Sequence, residues 1–260
     1  MTARSGAGSP THKGGKSMSR LRAVSMAVVA LLAASGVWAQ EALSAKLDPS
    51  GMIRVLKGTS ELAMIELNAH GPAWKHAPQA DATAEVSDLP DKAGKQFVGT
   101  LPVPDTDGGA IEFTENVKTL PQGLQLEYDL ATTAAMKLNG LQFSILLPVD
   151  AYAGQEVVVS RLEGEPDIVG LPQEQGQGFQ VWSGEGAKIE VAKDTDQAFT
   201  IELRAPTDAL VQDLRQWEQQ VFEVRFPAIM EDQGRDVAAD ERFHLDLTIT
   251  FAAPVKLVGP

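Results

Sequence analysis

The chain has 260 residues, with 22 Lys plus Arg against 35 Asp plus Glu, a formal charge of −13 and no cysteine. Such an acid excess repels phosphate backbones and anionic lipid surfaces, so nucleic acid is a poor partner. The absence of cysteine excludes a thiol nucleophile, a thiolate zinc site, an iron–sulfur cluster and any disulfide; no cofactor is expected, and the fold must be held by core burial alone.

Residues 1–39 carry five cations (Arg4, Lys13, Lys16, Arg20, Arg22) and no acid. The apolar run Ala23–Val37 follows and ends in Val37-Trp38-Ala39. A basic segment, a short apolar core and small residues before a cleavage point describe a secretory signal peptide, with cleavage expected after Ala39. The run is shorter than the roughly 20 residues that cross a bilayer as a helix. Met18 would begin a signal peptide of ordinary length, which makes residues 1–17 a dispensable extension. Processing leaves 17 cations against 35 acids, a formal charge of −18. The expectation is a periplasmic or secreted protein without a membrane span after processing, with 40–260 as a single domain.

The segment Asn68–Asp81 reads NAHGPAWKHAPQAD and places His70 and His76, two of only four histidines, around Trp74. A zinc site needs three or four ligands converging at about 2 Å. Gly71-Pro72 and Ala77-Pro78 forbid a regular helix here, so His70 and His76 lack the one-face logic of a helical zinc motif. Nothing in the sequence brings Asp81, Glu66 or His244 to them, and no metal is expected. Trp74 between two hydrogen-bonding neighbours also fits a platform for the face of a sugar ring. The commoner outcome for such a stretch is a surface loop with Trp74 folded back over the sheet, yet this is the best site the sequence offers.

Further along, Asp105-Thr106-Asp107-Gly108-Gly109 opens like a calcium loop, but the twelfth place is Asn116 rather than Glu. A turn is the better reading. Leu124–Leu130 then alternates apolar and polar residues. The run Ile111–Val159, with PQGLQLEYDL followed by LNGLQFSILLPVDAYAGQEV, resembles large β-sandwich regions of exported bacterial proteins acting on polysaccharides: accessory domains of glycoside hydrolases and galactose-mutarotase-type supersandwiches. The resemblance implies a carbohydrate context and carries over no catalytic residue.

Trp182 lies beside Ser183-Gly184, and core packing competes with a place in the ligand site for it. Glu185, next to it, is the first acid to test for a glycosidase pair, although 35 acids offer many alternatives. Asp208–Gln220 is the one helix candidate, with Asp208 as N-cap and Leu210, Leu214 and Trp217 on one side; a loop leading into a strand at Val221 competes. Alternation returns at Ala187–Val191, Phe199–Leu203, Phe222–Phe226 and most strictly at Phe243–Phe251, FHLDLTITF.

Turn signals at Pro49-Ser50-Gly51, Pro121-Gln122-Gly123, Asn139-Gly140, Gly176-Gln177-Gly178 and Ser183-Gly184 separate about 13 or 14 candidate strands. The fold class expected is all-β: one large antiparallel β-sandwich with at most one short helix near 208–220. Three functions follow. The first is a non-catalytic protein that binds carbohydrate through His70, Trp74, His76 and Trp182, or accompanies polysaccharide processing. The second is a polysaccharide-active enzyme, hydrolytic or mutarotase-like, with an acid pair including Glu185. The third is an envelope scaffold that pairs through an exposed edge strand such as Val221–Phe226.

Overall fold

The computed structural model describes residues 42–260. The expected signal peptide, its cleavage point and the extension 1–17 lie outside the described residues. Within them the chain forms sixteen strands. They are β1 (Leu43–Leu47), β2 (Ile53–Lys57), β3 (Ser60–Gly71), β4 (Lys75–Pro78), β5 (Thr83–Asp88), β6 (Gly94–Pro102), β7 (Ala110–Leu120), β8 (Gly123–Thr132), β9 (Met136–Pro148), β10 (Glu156–Ser160), β11 (Asp167–Gly170), β12 (Gln180–Val191), β13 (Phe199–Asp213), β14 (Val221–Val237), β15 (Arg242–Phe251) and β16 (Val255–Val258). One helical turn, α1 (Val149–Tyr152), follows β9. Among the described residues no helix is long and apolar enough to cross a membrane.

Twelve of the strands form one hydrogen-bonded path, β16-β1-β2-β3-β9-β14-β13-β15-β8-β7-β6-β5, antiparallel except for the β1–β16 pair; off it, β4 pairs with β3, β12 with β13, and β10 with β11 and β12. β13 joins the two halves of that path. Its residues 210–213 pair with β14 and its residues 199–203 with β15, while β12 runs along its other side with a register shift between Gly186 and Lys188. The sheet thereby turns over on itself. Tyr128 of β8 meets Phe143 of β9 with ring centres 4.9 Å apart, and Phe143 meets Phe226 of β14 at 6.1 Å, so the two layers share one core. Inward residues alternate as the period of a strand requires: Ile65, Leu67 and Ala69 on β3, Phe143, Ile145 and Leu147 on β9, Phe222, Val224 and Phe226 on β14, all buried.

Four sequence readings change. Asp208–Asp213 is the end of β13, not the start of a helix; only Leu214–Trp217 makes a short 3-10 turn. Ala209 through Asp213 are all buried, so this strand end is covered on both faces and shows no period of two. Asn139-Gly140 and Ser183-Gly184 lie inside β9 and β12 rather than in turns. Finally, Val221–Phe226 is not an edge, because β14 pairs with β9 on one side and β13 on the other.

Candidate functional site

The segment around Trp74 is a β-hairpin. β3 ends at Gly71, a 3-10 turn covers Pro72–Trp74, and β4 returns with His76 directly opposite His70. Ala73 and Trp74 both sit in the left-handed region at φ 59°, which a bulky residue adopts only when its surroundings hold it there. Trp74 packs edge-on against His70 at 5.4 Å, and the two imidazoles stack at 5.0 Å. The opposing residue on β9 is Gly140. A Cβ there would stand 3.0 Å from His70 Nδ1 and 3.1 Å from the Trp74 ring, so the glycine permits the approach of both rings.

This hairpin forms one end of a cleft of about 700 Å³, within the range of small-molecule sites. Its floor is the face of the sheet that points away from the core. The strand period puts Glu66, Asn68 and His70 of β3 on that face, with Gln142 and Leu146 of β9, Glu223 and Arg225 of β14, and Gln212 of β13 beside them. Glu66, Asn68, Gln142, Gln212 and Glu223 are buried there although polar. The far end carries Phe179 and Trp217, whose rings lie 5.0 Å apart, and Met230 lines the cleft too. Trp217 is 51% exposed, Met230 42% and Phe179 38%. Exposed apolar side chains gathered in one concavity mark a recognition surface.

Polar groups on the floor are arranged in two chains. Glu223 accepts from Ser144 Oγ at 2.5 Å and pairs with Arg225 at 2.8 Å, both charges nearly removed from solvent. Asn68 donates to Glu66 at 3.1 Å, which leaves its Oδ1 to accept from His76 Nε2 at 2.6 Å. The proton of His76 is therefore on Nε2, with Nδ1 free as an acceptor. Burial pushes the Glu66 carboxyl above its ordinary range, with the Glu223 charge adding to the push against the Asn68 hydrogen bond. Burial also lowers His70, to about 3, with His76 and Arg225 contributing; His76 is lowered by desolvation as well. Both imidazoles are neutral at pH 7.

Of the four residues expected to bind ligand, His70, Trp74 and His76 line this cleft together. Trp182 does not. It sits opposite Val211, packs against the core and donates its indole N–H to Asp167 at 2.9 Å. Glu185 is an exposed residue of β12 opposite Asp208 and does not line the cleft either. Among the further metal-ligand candidates, Glu66 shares the cleft with the two histidines, whereas His244 pairs with Asp129 on β8 and β15. Sequence reasoning missed Glu66 as a floor residue, along with Asn68, Gln142, Phe179, Gln212, Glu223 and Arg225; Trp217, read from sequence as a helix or core residue, joins Trp74 in the cleft while Trp182 does not. Alternation in IELNAH and LQFSIL marks one face of each strand as polar, but it does not tell a face that meets a cleft from one that meets water.

No protein-family model matches the chain, and no curated protein sequence matches it. Among solved structures, a galactose mutarotase-like protein from Lactobacillus casei ATCC 334 aligns at a TM-score of 0.51 and 13% identity, over 78% of this chain and 94% of that one. The chain has the fold of the galactose mutarotase-like β-sandwiches. A galactose mutarotase related enzyme from Lactobacillus acidophilus aligns at a TM-score of 0.44 and 9% identity, over 82% of this chain and 95% of that one.

Proposed function

We propose that this is an exported, non-catalytic carbohydrate-binding protein that accompanies polysaccharide processing, and that the cleft between Trp74 and Trp217 is its binding site. The observation that carries the reading is the collection of Trp74, Phe179 and Trp217 around a floor of buried polar side chains. Sugar rings ask for that combination: apolar faces to stack on and fixed donors and acceptors for the hydroxyls. The name of the Lactobacillus casei protein supports the same class of ligand. Export rests on the basic and apolar segments ahead of Gln40; an exported form whose first residue is Gln40 is the expected outcome of N-terminal sequencing.

Affinity electrophoresis in gels containing soluble polysaccharides tests the binding. Trp74→Ala and Trp217→Ala are each expected to weaken retention about tenfold or more, as central aromatic anchors do, while the melting temperature stays within a few degrees. Trp182→Ala is expected to leave retention unchanged. Retention that survives loss of both cleft tryptophans assigns the ligand elsewhere.

A second reading draws on a different observation, the opposed displacement of Glu66 and of the two histidines within one cleft. A carboxyl whose hold on its proton is strengthened by burial, beside a neutral imidazole, pairs an acid with a base for proton transfer at a sugar ring. Faster interconversion of sugar anomers, lost in Glu66→Gln, would favour this enzyme reading over pure binding.

A further inference from the structure

We propose that Gln212 is the specificity-determining residue of the cleft, that its side-chain oxygen accepts a hydrogen bond from a ligand hydroxyl, and that the ligand is an uncharged glycan. The proposal rests on the binding reading above and goes further in naming the ligand's charge and the atom that reads it.

Gln212 is 3% exposed and lines the cleft from β13, in register with Gln180 of β12 and Glu223 of β14. Among the described residues, its Oε1 is the one buried side-chain polar atom without a hydrogen-bond partner. The neighbours explain why the protein supplies no donor. The Arg225 guanidinium, next along the floor, is turned to the Glu223 carboxylate through both Nε and a terminal nitrogen. Ser144 spends its hydroxyl proton on the same carboxylate. A buried acceptor left unpaired costs stability in the free protein, and that cost is recovered when a bound molecule brings a donor. A glycan hydroxyl is such a donor; a carboxylate, a sulfate or a methyl ether at that place is not.

The charges of the cleft point the same way. Its lining holds three carboxylates (Glu66, Glu223, Asp232) and one guanidinium, Arg225, which is already paired. The histidines contribute no positive charge at neutral pH. An acidic polysaccharide would enter without a free cation to meet it and against carboxylates of like sign, which is strongly unfavourable where solvent is excluded. A neutral glycan meets no such opposition, and the aromatic pair Phe179–Trp217 offers it a stacking surface beside Gln212.

The experiment compares the wild-type protein with Gln212→Met, a variant of similar volume that removes the amide. The probes are barley β-glucan, laminarin, dextran and galactomannan as neutral polymers, alginate and polygalacturonate as acidic ones, and methylcellulose beside hydroxyethylcellulose as a methyl-capped pair. Wild type is expected to be retained by at least one neutral polymer and by neither acidic one. Gln212→Met is expected to bind that polymer about tenfold or more weakly and to melt no lower than wild type, because the orphan acceptor is gone. Weaker binding with an unchanged or higher melting temperature separates a role in recognition from a merely structural one. Equal retention of both proteins overturns the role of Gln212 and leaves the binding reading intact. Retention by the acidic polymers instead of the neutral ones overturns the charge assignment. If the variant melts lower, the cellulose ethers decide: discrimination against the methyl-capped one by wild type supports the hydroxyl contact, and equal retention of the two overturns it. No retention of wild type by any polymer overturns the binding reading and this proposal with it.

Discussion

His70 shows how far a single side chain is defined by its place. Its Nδ1 faces Gln142 Nε2 at 3.4 Å, its ring is sandwiched between His76 and Trp74, and burial holds its pKa near 3 against an ordinary 6.5. The folded pKa is depressed, so the stability linked to this group is present in full above pH 6.5 and drains away as the pH falls toward 3. In a proton NMR titration the ring signals of His70 are expected to stay at their neutral positions from pH 8 down to pH 5. An inflection near pH 6.5 would place the ring in solvent and dissolve the stack. Ligand retention should likewise be flat between pH 7 and 8, where both imidazoles are neutral. At this scale the sequence disclosed His70, Trp74 and His76 because histidine and tryptophan are rare in it. It hid Glu66, Asn68, Gln142 and Glu223 because a polar residue at every second position reads the same whether its face meets bulk water or a cleft. Nothing local distinguishes those two cases; the distinction is made by Phe179 and Trp217, brought over the face by segments remote in the chain.

Among the elements, the hairpin β3–β4 is the one on which the site depends. Its return is tied to the core by Gln79, which accepts from the Leu67 amide at 2.7 Å and donates to Glu115 of β7 at 2.7 Å. Tyr128 of β8 donates to the other Glu115 oxygen at 2.6 Å. A carboxyl wholly out of solvent, supported by those two donors but by no cation, is pushed up to about 8 by desolvation. Here the folded pKa is raised above the unfolded one. The stability it contributes is complete below about pH 4.5 and is lost as pH rises through 8, by up to about 1.4 kcal/mol per pH unit. Glu115→Gln keeps the shape of the protonated acid and removes the titration. Melting curves from pH 5 to 9 should show the wild type losing stability steadily and the variant much less, with the variant several degrees higher at pH 9. Parallel curves would mean that Glu115 is ionised and otherwise compensated. Element boundaries were legible where one face is wet, as at Phe243–Phe251, which the structure gives as β15. They were not legible at Ala209–Asp213, where burial on both faces removes the alternation and leaves apolar spacing that imitates a helix.

The whole molecule holds together through a single strand shared by both layers. β13 bonds to β14 of one layer at its C-terminal end and to β15 of the other at its N-terminal end, and Tyr128, Phe143 and Phe226 close the interior between them. With no cysteine to staple either layer, neither has an independent core to fall back on once that interior opens. The cleft is made of strands from the shared region, β3, β9, β14, β13 and β12, so the site has no existence apart from the global fold. Unfolding should therefore be one transition. Heating is expected to give the same midpoint by far-ultraviolet circular dichroism, which follows the strands, and by tryptophan fluorescence, to which the exposed Trp217 and half-buried Trp74 of the cleft contribute. A calorimetric enthalpy equal to the van't Hoff value should accompany that coincidence. Fluorescence that changes well before the circular dichroism would mean that the hairpin and the Leu214–Trp217 turn release first. In that event ligand binding would raise the early midpoint alone, whereas a single cooperative unit moves as a whole when ligand is added.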